Sequence, residues 1–186
     1  MNILDIVGAA IGLVFVFSEY KASRWLWPSS LLIAAFYVVI NFRIGWYANM
    51  SICIYNFLIS IYGLLVWSGM IQSKERTERP ISSCPGRLWP WLIAATAALT
   101  LVFRWLLTLL GESNMPWLDG LSAALGIVGM WMLSQKYWQQ WVFWLISEPI
   151  LVYIYLATGY TASAVMYSVY EVFVVMGIIR WKKLSK

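Results

Sequence analysis

Two tryptophans and a glutamate share one face of a predicted helix near residues 139–158. Trp141, Trp144 and Glu148 are spaced i, i+3 and i+7, which aligns side chains along one side of an α-helix. An ionised carboxylate in hydrocarbon costs about 2.5 to 3.5 kcal/mol, so Glu148 should face a cavity or a partner. Pro149 follows it and loosens the helix locally, because proline lacks a backbone donor. Two indoles beside an acid suit an aromatic organic cation, through stacking and cation–π attraction.

The same tryptophans have a second interpretation. Trp138 and Trp141 stand near the start of the segment, where tryptophan often anchors a helix at the membrane surface. Trp144 lies one turn deeper, where the binding interpretation is the stronger one.

The chain also repeats itself without gaps when residue 5 is laid on residue 119, a shift of 114 positions. Chance identities between apolar segments would mostly be Leu, Ile and Val, whereas these are largely Asp, Gly, Ala and Trp. They include Asp5 with Asp119, Gly12 with Gly126, Trp27 with Trp141, Gly63 with Gly177, and Trp67 with Trp181. Duplicated membrane segments are typical of transporters whose substrate site lies between the two halves.

Polar residues in other segments extend the candidate substrate site. Tyr37 and Asn41 lie on the helix face that the repeat aligns with the Trp141–Glu148 face, and Asn56 and Tyr170 share one repeat position. Either of the latter two could instead join helices through a hydrogen bond worth about 0.6 kcal/mol. Glu171 is the other deep acid, and it requires a donor such as Asn56, Tyr62 or a bound cation. Ligand contact and structural pairing are both open for it.

Three further acids are expected to be structural. Asp5 and Asp119 begin their segments, where an aspartate caps a helix by accepting from backbone N–H groups. Glu19 is close in sequence to Lys21 and Arg24, which predicts a solvated charge.

Seven segments are long and apolar enough to cross a bilayer core about 30 Å thick. They run near residues 3–20, 27–43, 47–68, 88–110, 118–135, 139–158 and 161–181. The prediction is an all-α integral membrane protein with two three-helix repeats joined by a linking helix. The repeats are expected to be parallel, because a single helix between two triplets makes both triplets enter the membrane in the same direction. The first repeat covers residues 1–70, a polar linker 71–87, the linking helix 88–116, and the second repeat with a basic tail 117–186.

Basic residues set the expected orientation. Eleven of the 13 Lys and Arg residues fall on one side of this topology, and only Arg43 and Arg104 do not. The positive-inside rule therefore puts the amino terminus outside and the carboxyl terminus in the cytoplasm. The formal net charge of +5 follows from topology and gives no reason to expect nucleic acid.

The composition argues against an enzyme. There is no histidine, and Cys53 and Cys84 are isolated, so neither a common general base nor a metal-spaced cluster is present. The sequence also lacks a Gly-x-Ser-x-Gly motif and a nucleotide-binding loop. No catalytic residue, metal or cofactor is expected.

Several motifs together resemble one family. They are Trp27-Pro28, the run from Trp46 to Asn49, Gly63-x-x-x-Trp67, Gln140-Trp141-x-x-Trp144, and Gly177-x-x-x-Trp181. Their order and spacing are similar to those of the Pnu-type bacterial vitamin transporters, the PnuC family of nicotinamide riboside transporters, and most similar to the thiamine branch, PnuT.

The resemblance implies a seven-helix, SWEET-like fold in the bacterial inner membrane, assembled as a homo-oligomer, a trimer. It implies facilitated diffusion of an unphosphorylated vitamin that a cytoplasmic kinase then traps. The family's tryptophan motif falls on Trp141 and Trp144, and its polar position falls on Glu148, where riboside carriers commonly have Asn or Asp. Thiamine is therefore the expected substrate, nicotinamide riboside is the alternative, and uncharged riboflavin gains little from a carboxylate.

A non-transporting membrane protein is the alternative of another class. It would be indicated by Glu148 and Glu171 pairing with Arg104 rather than lining a cavity.

Overall fold

A computed structural model describes residues 3–71 and 79–185, with side chains described from residue 12 onward except at 44 and 162. In this part of the chain there are seven α-helices and a short 3-10 helix at Gly86–Leu88. The α-helices are α1 (Ile3–Tyr20), α2 (Leu26–Ile44), α3 (Tyr47–Trp67), α4 (Trp89–Leu110), α5 (Pro116–Ser134), α6 (Gln140–Ala157) and α7 (Thr161–Leu184). The all-α prediction is confirmed, and each helix starts within two residues of its predicted position.

Backbone chemistry explains several helix ends. Gly45 follows α2 with φ 77° and Gly111 follows α4 with φ 66°, a left-handed conformation that ends a helix and that glycine adopts without a Cβ penalty. Pro116 begins α5, where its missing N–H would have no helical partner in any case.

Six of the described helices, α2 to α7, are long and apolar enough to cross a membrane by length and composition. Large apolar side chains cover their outer surface, including Trp91 at 75% exposure and Leu32 at 68%. Such a surface is incompatible with water and matches hydrocarbon.

The helices pack in a closed ring. In order around it, the neighbours are α1, α2, α3, α5, α6 and α7, and α7 returns to α1. Helix α4 lies outside the ring, mainly against α5 and more lightly against α3. Each contact in one half has a counterpart in the other: α2 on α3 corresponds to α6 on α7, and α3 on α5 corresponds to α7 on α1.

The end of the polar linker forms a strap over the α5–α6 turn, comprising residues 79–85. Ser82 accepts from the Trp138 N–H at 3.1 Å and donates its own N–H to the Lys136 carbonyl at 3.0 Å. The Gln139 side chain accepts from the Cys84 N–H at 2.9 Å. Burial in this strap raises the pKa of the Cys84 thiol above its usual value. Residues 72–78 of the linker lie outside the described residues.

Candidate substrate site

Four repeat-matched tryptophans form one buried cluster at the end of the ring that carries the α5–α6 turn. Trp27, Trp67, Trp141 and Trp181 are all 0% exposed. Trp27 meets Trp67 edge to face with ring centroids 5.4 Å apart, and Trp141 meets Trp181 in the same way at 5.8 Å. Trp67 and Trp181 join the two halves at 6.3 Å.

Two repeat-matched glycines make room for this cluster. A Cβ on Gly63 would lie within 3.0 Å of the Trp27 ring, and one on Gly177 within 3.0 Å of the Trp141 ring. The fully buried position of Trp141 rules out the surface-anchor interpretation for that residue. The structure thus places Trp141 in a packing cluster with Gly177 and Trp181.

Trp144 contacts a buried acid that was not among the predicted site residues. Its Nε1 donates to the Glu19 carboxylate at 2.8 Å, and its ring covers Gly129 of α5. The expectation that Glu19 is a solvated charge was wrong, since Glu19 is 1% exposed. The basic residues near it in sequence misled the prediction, because the penultimate residue of α1 points into the bundle while the turn after it points out.

Glu148 is buried at 7% exposure, and its Oε2 atom has no hydrogen-bond partner among the described residues. Glu19 and Glu171 are both near enough to act on it electrostatically. The Oε2 of Glu171 is likewise buried and unpartnered within the described chain. Of its expected donors, Tyr62 accepts instead from the Gln135 amide at 2.9 Å.

Three tyrosines adjoin the acids. The Tyr155 and Tyr167 rings are stacked with centroids 5.2 Å apart, and Tyr170 meets Tyr167 edge to face at 5.6 Å. Glu148 lies within electrostatic range of all three phenols, and Tyr37 within range of Tyr155 and Tyr170. Sequence reasoning missed Tyr167, although its i, i+3 spacing to Tyr170 was a usable signal.

The hydrogen bonds found for the two predicted asparagines go to residues outside this cluster. Asn41 is 7% exposed and donates to the Cys53 sulfur at 3.5 Å, which joins α2 to α3. Asn56 is half-buried, and its backbone carbonyl accepts from the Ser60 hydroxyl at 2.6 Å. Ser60 also lies 2.6 Å from the Ser30 hydroxyl of α2.

The remaining polar predictions concern helix ends. Asp119 accepts from the Ser113 hydroxyl, whose oxygen accepts from the Met115 N–H at 2.9 Å, so Asp119 supports the start of α5 through a serine. The side chain of Asp5 lies outside the described residues. Sequence reasoning missed Glu112, which accepts from the Ala48 N–H at 3.1 Å and caps α3 from across the fold.

Arg104 does not pair with the buried acids. Its guanidinium lies 4.0 Å from the centroid of the Trp117 ring on the outer side of the bundle. The feature that would indicate a purely structural protein is therefore not seen. Within the described residues no group of acids, cysteines or histidines could hold a metal ion.

Among the described residues, buried acids without a basic partner lie beside aromatic rings in helices long and apolar enough to cross a bilayer, as is typical of multi-pass membrane transporters. Buried carboxylates of this kind mark substrate paths. The family model for nicotinamide mononucleotide transporters matches residues 2–183, so the chain belongs to that family. It is a membrane transporter rather than an enzyme, and the family resemblance drawn from the sequence is confirmed.

A solved structure has the same fold. It is described as the crystal structure of the vitamin B3 transporter PnuC, and it superimposes with a TM-score of 0.76 at 22% identity. The match covers 98% of this chain and 81% of that one. A search of curated proteins finds no match.

Proposed function

We propose that this transporter carries thiamine across the bacterial inner membrane by facilitated diffusion. The observation that carries the proposal is the Glu148 carboxylate, which is buried, has its Oε2 atom unpartnered within the described chain, and lies near two further acids. A buried charge without compensation is strongly unfavourable. A permanent organic cation compensates it.

Thiamine matches the site in shape as well as in charge. Its thiazolium ring is a flat cation, and its aminopyrimidine is a second flat ring with hydrogen-bonding edges. The stacked Tyr155 and Tyr167 rings and the Trp144 indole offer faces for such rings, and each cation–π contact contributes about 0.5 to 2 kcal/mol.

The basic end of the bundle is proposed to face the cytoplasm. Lys136 lies over the Trp67 ring at 4.4 Å, Lys182 over Trp138 at 5.4 Å, and Arg180 over Tyr20 at 5.0 Å. These cations surround the tryptophan cluster at one end of the ring, which is the arrangement that the positive-inside rule expects at the cytoplasmic surface.

Uniport with trapping by a cytoplasmic kinase fits the absence of a nucleotide-binding loop from the sequence. The same resemblance to the family favours a homotrimer. Exposed apolar residues of α4, such as Trp91 and Trp105, offer a surface for lipid or for neighbouring copies.

Nicotinamide riboside is the second candidate. The name of the matching family and the fold shared with a vitamin B3 transporter favour it. It too is a flat aromatic cation, so Glu148 would serve either substrate.

Binding to the purified protein and uptake into proteoliposomes separate the candidates. We expect saturable thiamine binding by calorimetry, and uptake of labelled thiamine with no imposed ion gradient. Nicotinamide riboside and riboflavin are the comparison ligands. Binding of the riboside without any of thiamine would overturn the substrate, and uptake that requires a proton gradient would overturn the uniport mechanism.

A further inference from the structure

The hydrogen bond between Glu19 and Trp144 crosses the interior of the helix ring. In the described chain, α1 packs against α2 and α7, whereas α6 packs against α5 and α7. Helices α1 and α6 are therefore not neighbours. A bond of 2.8 Å between their side chains joins the two halves through the space that the ring encloses.

This bond lies toward the basic end of the bundle. Glu19 is the penultimate residue of α1, and Trp144 stands in the second turn of α6. Glu148 lies one turn further along α6, away from the basic end, and is within electrostatic range of Glu19. Along one path, the order is thus Glu148, then the Trp144 indole, then Glu19.

An unsatisfied polar side chain lies beside the Glu19 carboxylate. Gln140 lies beside it, yet neither polar atom of the Gln140 amide has a hydrogen-bond partner of acceptable geometry in the described part of the chain. Buried polar groups are normally paired. Beside this unpaired amide, the Glu19 carboxylate can accept a new partner when the indole moves away.

We propose that the Glu19–Trp144 bond is the inner gate of the transport path, and that Glu19 is a second carboxylate subsite for the substrate cation. The inference rests on the proposed transport of an aromatic cation. The cation leaves Glu148, displaces the Trp144 indole from Glu19, and pairs with Glu19 before it passes the basic end.

The first test separates translocation from binding. Glu19→Gln keeps an acceptor oxygen for the indole and removes the charge. We expect its thiamine affinity to stay within about threefold of the parent's, while uptake into proteoliposomes slows by about tenfold or more. Unchanged uptake, or equal losses in affinity and uptake, would contradict a separate subsite at Glu19.

The second test needs no substrate. Ser18 neighbours Glu19 and is 7% exposed, so Ser18→Cys in a Cys53→Ser, Cys84→Ser background reports access to the gate. Trp144→Phe keeps a ring and removes the donor, and should raise labelling of this cysteine by a water-soluble thiol reagent about threefold or more. Trp138→Phe is the matched control, since it removes an indole bond to Ser83 at the same end but outside the ring.

The outcomes distinguish the gate from the substrate assignment. Equal labelling in the Trp144 and Trp138 variants would overturn the gate, whatever the substrate is. If the parent protein neither binds nor takes up thiamine, the substrate proposal fails, and the Glu19→Gln comparison is made with nicotinamide riboside.

Discussion

The tryptophan cluster and the acid cluster are built from opposite kinds of repeat position. Trp27, Trp67 and Gly63 recur in the second half as Trp141, Trp181 and Gly177. The tryptophans pack edge to face within each half, and a tilted Trp67–Trp181 contact joins the halves. Glu19 and Glu148 have no acidic counterparts, since Leu133 and Ala34 stand at the equivalent positions. A duplicated scaffold holds the halves together, whereas an asymmetric ligand needs groups that only one copy supplies.

Changes in the matched cluster should have the largest effect. Gly177→Ala would drive a Cβ into the Trp141 ring, which also packs edge to face against Trp181. Overpacking of this kind costs about 1 to 3 kcal/mol. We expect a clearly lower melting temperature in detergent, and the same for Gly63→Ala against Trp27. Melting at the parent temperature would show that the cluster is loosely packed.

Substitution in the acid cluster should weaken binding without lowering stability, because it removes an uncompensated buried charge. Glu148→Gln removes the charge that faces the substrate, and we expect thiamine affinity to fall by about tenfold, or about 1.4 kcal/mol. Asp119→Asn is the matched control, because Asp119 accepts from Ser113 at the start of α5. Titration calorimetry on both variants measures the difference. Equal effects would mean that the wrong acid has been assigned to the ligand.

The two halves also differ where their third helices begin. Glu112, which follows α4, caps α3 through the Ala48 N–H, whereas Tyr160, the residue before α7, supplies no side-chain cap of its own. Glu112→Ala should therefore destabilise the first half by about 1 kcal/mol. Hydrogen exchange should rise at the start of α3 and stay constant at the start of α7. Equal protection in parent and variant would show that the cap contributes nothing.

The smallest effect is expected at a matched glycine with nothing beside it. A Cβ on Gly126 would meet no atom within 4 Å, whereas one on its repeat partner Gly12 would meet the Tyr170 hydroxyl. Gly126→Ala should be neutral or stabilising by about 0.5 to 1 kcal/mol, because glycine loses more backbone conformational freedom than alanine when the chain folds into a helix. A marked drop in melting temperature would reveal a contact that lipid or a second copy makes at this face.

The helices could be predicted from the sequence because the length of an apolar segment is a local property of the chain. Each spanning segment needs a run of apolar residues whatever it packs against, and its ends carry local signals such as Gly45, Gly111 and Pro116. The family was readable for a related reason, because spaced tryptophans and glycines persist along the chain as a pattern.

The sequence did not predict which side of each helix faces the interior of the helix ring. Helical spacing put Trp141, Trp144 and Glu148 on one face, yet Trp141 packs on Gly177 while Trp144 turns to Glu19. Side chains three residues apart on a helix point in directions that differ enough for Trp141 and Trp144 to contact different neighbouring helices. Asn41 likewise met Cys53 rather than the acids.

By itself, then, the sequence determined the seven helices, the duplicated scaffold and the family, because each depends on local composition or on a pattern along the chain. Only the tertiary structure decided that Glu19 is buried against Trp144 and that Trp141 is a packing residue. The physical reason is that a carboxylate's environment is set by the helices around it. The residue that bonds Glu19, Trp144, is 125 residues away in sequence, and no local signal carries that information.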